Sequence, residues 1–416
     1  MLESLPRRIS LGIVVPAGEV FAPEGLRVAG VVRGSMAEGA GVVAGDVVVA
    51  VGGSPVRSSG ELREATRRAG GRREIAVTVL RDGRRLEGRA PVVHGAAEVI
   101  DGSVVSHEQI VAADGARLRT IVTRPAGGEV EREREQELER KDGGETRRPA
   151  VLFVQGIDRE SLDFGARVGA PVRELVHGWA RAGFVTMRVE KRGVGDSDGD
   201  EGGFDVELSD ARAALRALAA DAAVDPRAIF LFGHSVGGMI APLLCEEPGA
   251  GGEPLVRGVV VLGTSARGWL ECVAASTRRQ LTLAGWSAEA IEERVSRERE
   301  EGFGVRTPAY HAELAARDVG AAWDRVACDV LVIAGEHDVV VGDDEQAEIA
   351  ARVGARRPGG AARLVRIAGM DHWMTRHASL ADCLAAPGRG GFAEEVVGET
   401  VTWMGERVEA GGGAGT

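Results

Sequence analysis

Positive charge is in deficit in this 416-residue chain: 51 Lys and Arg face 63 Asp and Glu, for a formal net charge of −12 and a pI near 5.4. No concentrated basic face is available to neutralise a phosphate backbone, which excludes nucleic acid as a partner. The local arginine pairs Arg67-Arg68 and Arg72-Arg73 read as solvated surface. The four cysteines, Cys245, Cys272, Cys328 and Cys383, are scattered without a CxxC, so neither a disulfide framework nor a zinc site is implied. No run of about 18 apolar residues occurs, and Met1 to Ser10 has Arg7 and Arg8 without an apolar core behind them. The expectation is a soluble, cytoplasmic protein with no membrane span, although removal of a signal peptide would leave the same sequence. Aromatic residues make up only 4%.

What the chain has is hydrophobic content, 44%, enough to fill the cores of two or three domains, and 60 glycines. Two pentapeptides read Gly-x-Ser-x-Gly: Gly195-Asp196-Ser197-Asp198-Gly199 and Gly233-His234-Ser235-Val236-Gly237. A nucleophile elbow needs a buried strand before the serine and a helix straight after it. Ser235 has both, since Ala228 to Phe232 is an unbroken apolar run and Met239, Ile240, Leu243 and Leu244 follow at helical spacing. Ser197 lies among Asp196, Asp198, Asp200 and Glu201 in a polar, glycine-rich loop with no apolar stripe to bury. Ser235 is therefore the candidate nucleophile.

The first 95 or so residues form a strand-rich unit, with short apolar runs at Leu11 to Val15, Leu26 to Val32, Val47 to Val51 and Ile75 to Leu80, and one short helix over Glu61 to Arg68. The segments Gly34-Ser35-Met36-Ala37-Glu38-Gly39-Ala40-Gly41 and Gly45-Asp46-Val47-Val48-Val49-Ala50-Val51-Gly52-Gly53, followed by Val56 and Glu61-Leu62, resemble a bacterial PDZ domain, with Met36 in place of the usual proline. The resemblance implies that a peptide C-terminus is held by backbone N–H groups of Leu11-Gly12-Ile13. The alternative is a unit that only docks on its neighbour or pairs two chains.

Residues 96 to 126 read as two strands joined at Asp114-Gly115. A charged stretch, residues 127–149, is expected to be a solvated helix or a disordered insertion. From Pro149 onward strands (Ala150 to Val154, Phe184 to Val189, Ala228 to Phe232, Val256 to Leu262, Val330 to Ile333, Leu364 to Ile367) alternate with helices (Pro171 to Ala182, Val206 to Ala220, Glu345 to Val353, Glu394 to Arg407). That alternation specifies an α/β architecture, a mostly parallel sheet covered on both faces. Between about 266 and 326 the pattern is helical only and reads as a lid, with Trp269, Leu270, Leu281, Trp286, Ile291 and Val295 facing inward. Residues 411–416 are expected to be a flexible tail.

A serine needs a base to take its proton, and the base needs a carboxylate to fix its tautomer. On an elbow fold the acid and then the histidine each follow a late strand. Asp338 follows Val330 to Ile333 and is the best acid, with Glu336 competing, while Asp343 and Asp344 begin the next helix. His372 follows Leu364 to Ile367 and is the best base among eight histidines, with His377 as substitute. His234 packs beside the elbow. The oxyanion donors are expected to be the N–H groups of Val236 and, from the turn Gln155-Gly156-Ile157-Asp158, of Ile157.

At this point residues 100 to 410 resemble an α/β-hydrolase of the lidded esterase and serine-peptidase type. Besides the elbow, Glu190-Lys191-Arg192-Gly193-Val194-Gly195-Asp196-Ser197-Asp198-Gly199 matches the family's loop after its second long central strand, with Glu190 in place of aspartate. Gly335-Glu336-His337-Asp338 and Gly369-Met370-Asp371-His372 match the acid and histidine loops. Ser197 thus belongs to a structural turn of the same fold. The resemblance implies two-step acyl transfer through an acyl-serine, with no metal and no organic cofactor. The domain layout is then a PDZ-like unit over 1–95 and a hydrolase over 96–410. Hydrolysis of a small carboxylic ester or thioester is the leading reading; a peptidase or acyltransferase fed by the PDZ unit, and a PDZ scaffold with an inactive body, are the alternatives. Trp269, Trp286, Tyr310 and Trp373 are the rings expected to shape an acyl or alcohol pocket or else to pack the core.

Overall fold

The computed structural model describes residues 5, 7, 9–15, 21–22, 24–94, 98–126, 147–165, 169–249, 251–301, 305–356 and 361–412. The charged insertion falls almost entirely outside the described residues. The chain divides after Glu98 into two compact units.

The first unit contains β1 (Ile13–Val14), β2 (Phe21–Ala22), β3 (Gly25–Arg27), β4 (Gly30–Val31), α1 (Met36–Gly39), β5 (Val47–Val51), β6 (Ser54–Pro55), α2 (Ser59–Ala69), β7 (Glu74–Arg81) and β8 (Arg84–Pro91). Strands β2, β3, β5, β7 and β8 pair in that order, while β1 pairs antiparallel with β4. Leu26, Val48, Val51, Ile75, Val77 and Val79 build its core with Met36 and Ala37 from α1. Strand β8 was not foreseen, because Arg-Arg-Leu-Glu-Gly-Arg carries almost no apolar side chains; it is an edge strand whose outward residues are exposed.

The second unit runs β9 (Ser103–Val111), β10 (Arg117–Pro125), β11 (Arg148–Val154), α3 (Pro171–Arg181), β12 (Val185–Val189), α4 (Phe204–Ala219), β13 (Val224–His234), α5 (Val236–Leu244), β14 (Gly258–Leu262), α6 (Trp269–Leu283), α7 (Ala288–Glu301), α8 (Pro308–Ala315), α9 (Val319–Arg325), β15 (Asp329–Gly335), α10 (Asp343–Arg356), β16 (Ala362–Ile367), β17 (Thr375–Arg376), α11 (Leu380–Ala385), β18 (Gly391–Phe392) and α12 (Glu395–Gly412). Eight strands form one sheet in the order β16-β15-β14-β13-β11-β12-β10-β9, parallel except where β10 meets β12 and β9. This is the α/β-hydrolase fold.

Alternation along the central strands sends Leu152, Ile229, Leu231, Val259 and Val261 to one face and Phe153, Phe230, Phe232, Val260 and Leu262 to the other. The first face is covered by α4, α5 and the foot of the lid, the second by α3 and α12. Ile291 and Val295 of α7 pack with Ala274 of α6 in a small cluster within the lid. Two inward assignments in the lid are corrected: Leu270 is 44% exposed and Trp286 51%, because α6 buries Trp269, Cys272 and Ala274 instead and Trp286 sits on the turn before α7. Helix α12 continues to Gly412, so Gly411 and Gly412 end a helix rather than begin a tail; 413–416 lie outside the described residues.

Close backbone packing at the elbow makes a stability prediction. A Cβ at Gly237 would stand 2.0 Å from the Val154 carbonyl oxygen, whereas one at Gly354 in α10 meets nothing within 4 Å. Gly237→Ala is expected to lower stability by about 1–3 kcal/mol, and Gly354→Ala to leave it unchanged or raise it by about 0.5–1 kcal/mol, both read from denaturant midpoints.

Candidate active site

Strand β11 has β13 on one side and β12 on the other, so the chain leaves its carboxyl end in opposite directions and opens a crevice there. Into this crevice come the turn after β11, Gln155-Gly156-Ile157, and Ser235 after β13. Ser235 adopts φ 55° and ψ −124°, a conformation that costs a residue with a side chain about 1–3 kcal/mol. The surroundings hold it there: its N–H donates to the Leu262 carbonyl at 2.9 Å, and a Cβ at Gly233 would lie 2.6 Å from the Gly237 carbonyl, so strand and helix meet backbone to backbone. The side chain is half-buried at the mouth.

Asp338 follows β15 and His372 follows β16, and the structure brings them together: His372 Nδ1 lies 3.0 Å from Asp338 Oδ2, both groups buried. The other Asp338 oxygen accepts N–H bonds from Val340 and Val341, each 2.8 Å, which fixes the carboxylate in its loop. Burial works against a charged His372, but the Asp338 carboxylate outweighs it and holds the imidazole above its ordinary value. A Cβ at Gly263, just past β14, would stand 2.7 Å from His372 Nδ1, so that position has to be glycine. His234 accompanies the elbow with Nε2 2.8 Å from the His372 carbonyl oxygen; burial, followed by the neighbouring His372, pushes it down to about 4.

The competitors are occupied elsewhere. Exposed Glu336 accepts the Gly369 N–H at 2.8 Å, and His377 Nε2 faces Asp371 Oδ2 at 3.0 Å. Asp371 also accepts N–H bonds from Trp373, Thr375 and Gly388 and the Thr375 hydroxyl, and so ties down the loop that carries His372. Ligand atoms of Asp371, His377 and Cys383 lie within 4.8 Å of one another and could face a metal, but the Asp371 oxygens already have these internal donors. Ser197 is buried in its turn, its hydroxyl donating to the Glu190 carbonyl at 2.7 Å and accepting the Arg119 N–H at 2.9 Å.

The proposed pocket rings separate. Trp373 lies edge-on to His372, ring centroids 5.2 Å apart. Trp269 is buried and stacks on His311. Tyr310 is buried against Phe204 under the Arg306 guanidinium, so it packs the core rather than lining an opening. Trp286 is 51% exposed at the far turn of the lid. A cavity of about 60 Å³ does exist, under the Gln155-Gly156 turn, with an apolar floor that includes Leu152, Val154 and Ile240 and a polar side formed by Lys191, Glu207 and Arg306. Sequence reading passed over these three charged groups. Lys191, second after the strand Val185–Val189 and set between Glu190 and Arg192, was the available signal.

In the first unit, Gly12 adopts φ 79° and a Cβ there would overlap the Ser35 side chain at 2.2 Å. The Leu11 carbonyl accepts from Ala37 and the Gly12 carbonyl from Val32, each at 2.8 Å, and Ile13 continues into β1.

The family model Hydrolase_4, described as serine aminopeptidase, S33, matches residues 168–377, and a PDZ domain model matches 27–81. No curated protein matches the sequence. Similar solved structures include the Pyrococcus furiosus esterase Pf2001 (14% identity, 75% of this chain and 97% of that one, TM-score 0.45). A hyperthermophilic esterase from Pyrobaculum calidifontis gives 19% identity over 74% of this chain and 86% of that one, TM-score 0.47. The thermophilic carboxylesterase EstE1 from a metagenomic library gives 20% identity over 75% and 91%, TM-score 0.48. With a family match that spans half of its length, the chain belongs to the α/β-hydrolases of the serine aminopeptidase S33 family and carries an N-terminal PDZ domain.

Proposed function

We propose that the protein hydrolyses a carboxylic ester or thioester through an acyl-Ser235 intermediate. The observation that carries this reading is the buried Asp338–His372 hydrogen bond beside a serine held in elbow geometry. In this mechanism His372 Nε2 takes the Ser235 proton as Oγ attacks the carbonyl carbon, while Nδ1–H donates to Asp338. The oxyanion receives N–H bonds from Val236, whose place in the first turn of α5 leaves it no intrahelical acceptor, and from Ile157. The proton on His372 then passes to the leaving alcohol or thiol, and a water attacks the acyl-serine by the same route.

A second reading, cleavage of an N-terminal peptide bond, is supported by the description of the family as serine aminopeptidases. It requires a carboxylate for the substrate ammonium. Glu201 and Glu207 are engaged by Arg159, Lys191 and Arg306, whereas Asp158, next to Ile157, is exposed and could serve. Paired assays on a short p-nitrophenyl ester and an aminoacyl p-nitroanilide separate the readings; turnover of the anilide alone would replace the first by the second.

A fluorophosphonate is expected to label one site per chain, and Ser235→Ala to abolish both labelling and ester hydrolysis. Labelling that survives that substitution removes the assignment. Asp338→Asn is expected to stay folded and lose about ten-thousandfold in kcat, because the wrong imidazole tautomer is then held. The base must be neutral to work, and its pKa is raised, so activity is lost as pH falls through that raised value: the acid limb of kcat/KM should lie above pH 6.5, the ordinary histidine value. In Asp338→Asn the limb of the residual activity should move down, since the carboxylate that raises it is gone.

A further inference from the structure

Lys191 is a largely buried cation, its side chain 11% exposed, that the acyl-serine mechanism does not employ, and its surroundings define what it touches. Its Nζ donates to the Gly156 carbonyl oxygen and pairs with Glu207 at 2.9 Å. Glu207, on α4, also accepts from Arg306 Nη1 at 2.8 Å, and that same nitrogen donates to the Ile157 carbonyl at 3.2 Å. Two cations sharing one carboxylate therefore grip successive carbonyls, 156 and 157, of the turn after β11. Burying a lysine is costly unless it is paired and hydrogen-bonded, so this arrangement needs a return.

Peptide planarity supplies the link to chemistry. The Gly156 carbonyl and the Ile157 N–H belong to one trans peptide unit and point to opposite edges of it. An ammonium fastened to the oxygen turns the N–H edge away from the cavity. The Gly156 backbone itself abuts Ser235, a Cβ at Gly156 falling 2.9 Å from Ser235 Cβ and 3.5 Å from its Oγ. Among the described residues Ile157 N–H has no acceptor. Resting on the acyl-serine reading above, we propose that Lys191, braced by Glu207, is the positioning residue of the oxyanion turn: it holds the Gly156–Ile157 peptide with its N–H toward the carbonyl oxygen of the substrate. A charge-assisted hydrogen bond at the oxygen end also polarises the peptide and strengthens its N–H as a donor. The cavity beside Lys191 leaves space into which the turn can relax when the grip is lost.

The test uses the full chain, with Lys191→Met as an uncharged replacement of similar length. Removal of one oxyanion donor costs about a hundred- to a thousandfold in kcat. Lys191→Met should approach that loss on a short p-nitrophenyl ester with KM within about threefold, and should weaken inhibition by a trifluoromethyl ketone, which forms an oxyanion on the serine, by the same factor as kcat/KM. A kcat within about threefold of the parent overturns the proposal, as does a rise in KM with trifluoromethyl ketone affinity unchanged. Should Lys191→Met fail to fold, Glu207→Gln carries the test: it leaves the ammonium without its charged brace, and an unaltered kcat in that variant overturns the proposal equally. Fluorophosphonate labelling of the parent at Ser235 keeps the two levels apart, since labelling that persists in Ser235→Ala rejects the acyl-serine reading itself, whereas correct labelling with an indifferent Lys191→Met rejects only the role of Lys191.

Discussion

The carboxyl edge of the sheet is organised around a serine in a backbone conformation that serine avoids. Ser235 can stand at φ 55° only because its neighbours crowd it into place from several directions: the Leu262 carbonyl takes its N–H, Gly233 and Gly237 bring strand and helix into backbone contact, and Gly156 lies against its side chain. These come from the ends of three different strands, β14, β13 and β11, and the turns that follow them. The elbow is therefore a property of the assembled sheet, and the local pentapeptide supplies only the permission for it.

Electrostatics at the site divides by depth. Below the crevice, charges are partly buried and matched: Lys191 and Arg306 share Glu207, Arg306 and Arg159 share Glu201. Beside the serine two histidine–carboxylate pairs have buried side chains, Asp338 with His372 and Asp371 with His377; against its burial, His372 is raised by the Asp338 charge, while its neighbour His234 is pushed down to about 4 by burial and by His372. Two imidazoles with ring centroids 5.1 Å apart are thereby driven to different protonation behaviour by which of them meets the carboxylate.

Much of this was legible beforehand because its signals are contiguous in the chain. Unbroken apolar runs announced the buried strands, Asp114-Gly115 announced the hairpin of β9 and β10, and the acid and histidine loops each sat directly past a strand end. The misreadings have a common cause. Helical periodicity shows that α6 has an apolar stripe but not what covers it, so Leu270 reads as inward while the helix buries Cys272 and Ala274, and Trp286 lies past the end of that helix, where its period no longer applies. Strand β8 hides because an edge strand with solvent on its outer side needs little hydrophobicity. The cation grip on the turn after β11 hides because Lys191, Glu207 and Arg306 are joined only through tertiary structure, and Lys191 lies inside the motif that opens at Glu190.

Gly263 shows how a position with no side chain can be under as strict a constraint as the reacting groups. Its missing Cβ is the space in which His372 and Asp338 meet, 2.7 Å and 3.3 Å from where that carbon would be. Among sequences that share this His–Asp pair, selection at 263 would act on volume alone, and invariance there would record the room that an imidazole and a carboxylate occupy together. An alignment scored for reactive chemistry would overlook it, although any larger residue would separate the pair as surely as deleting one of them.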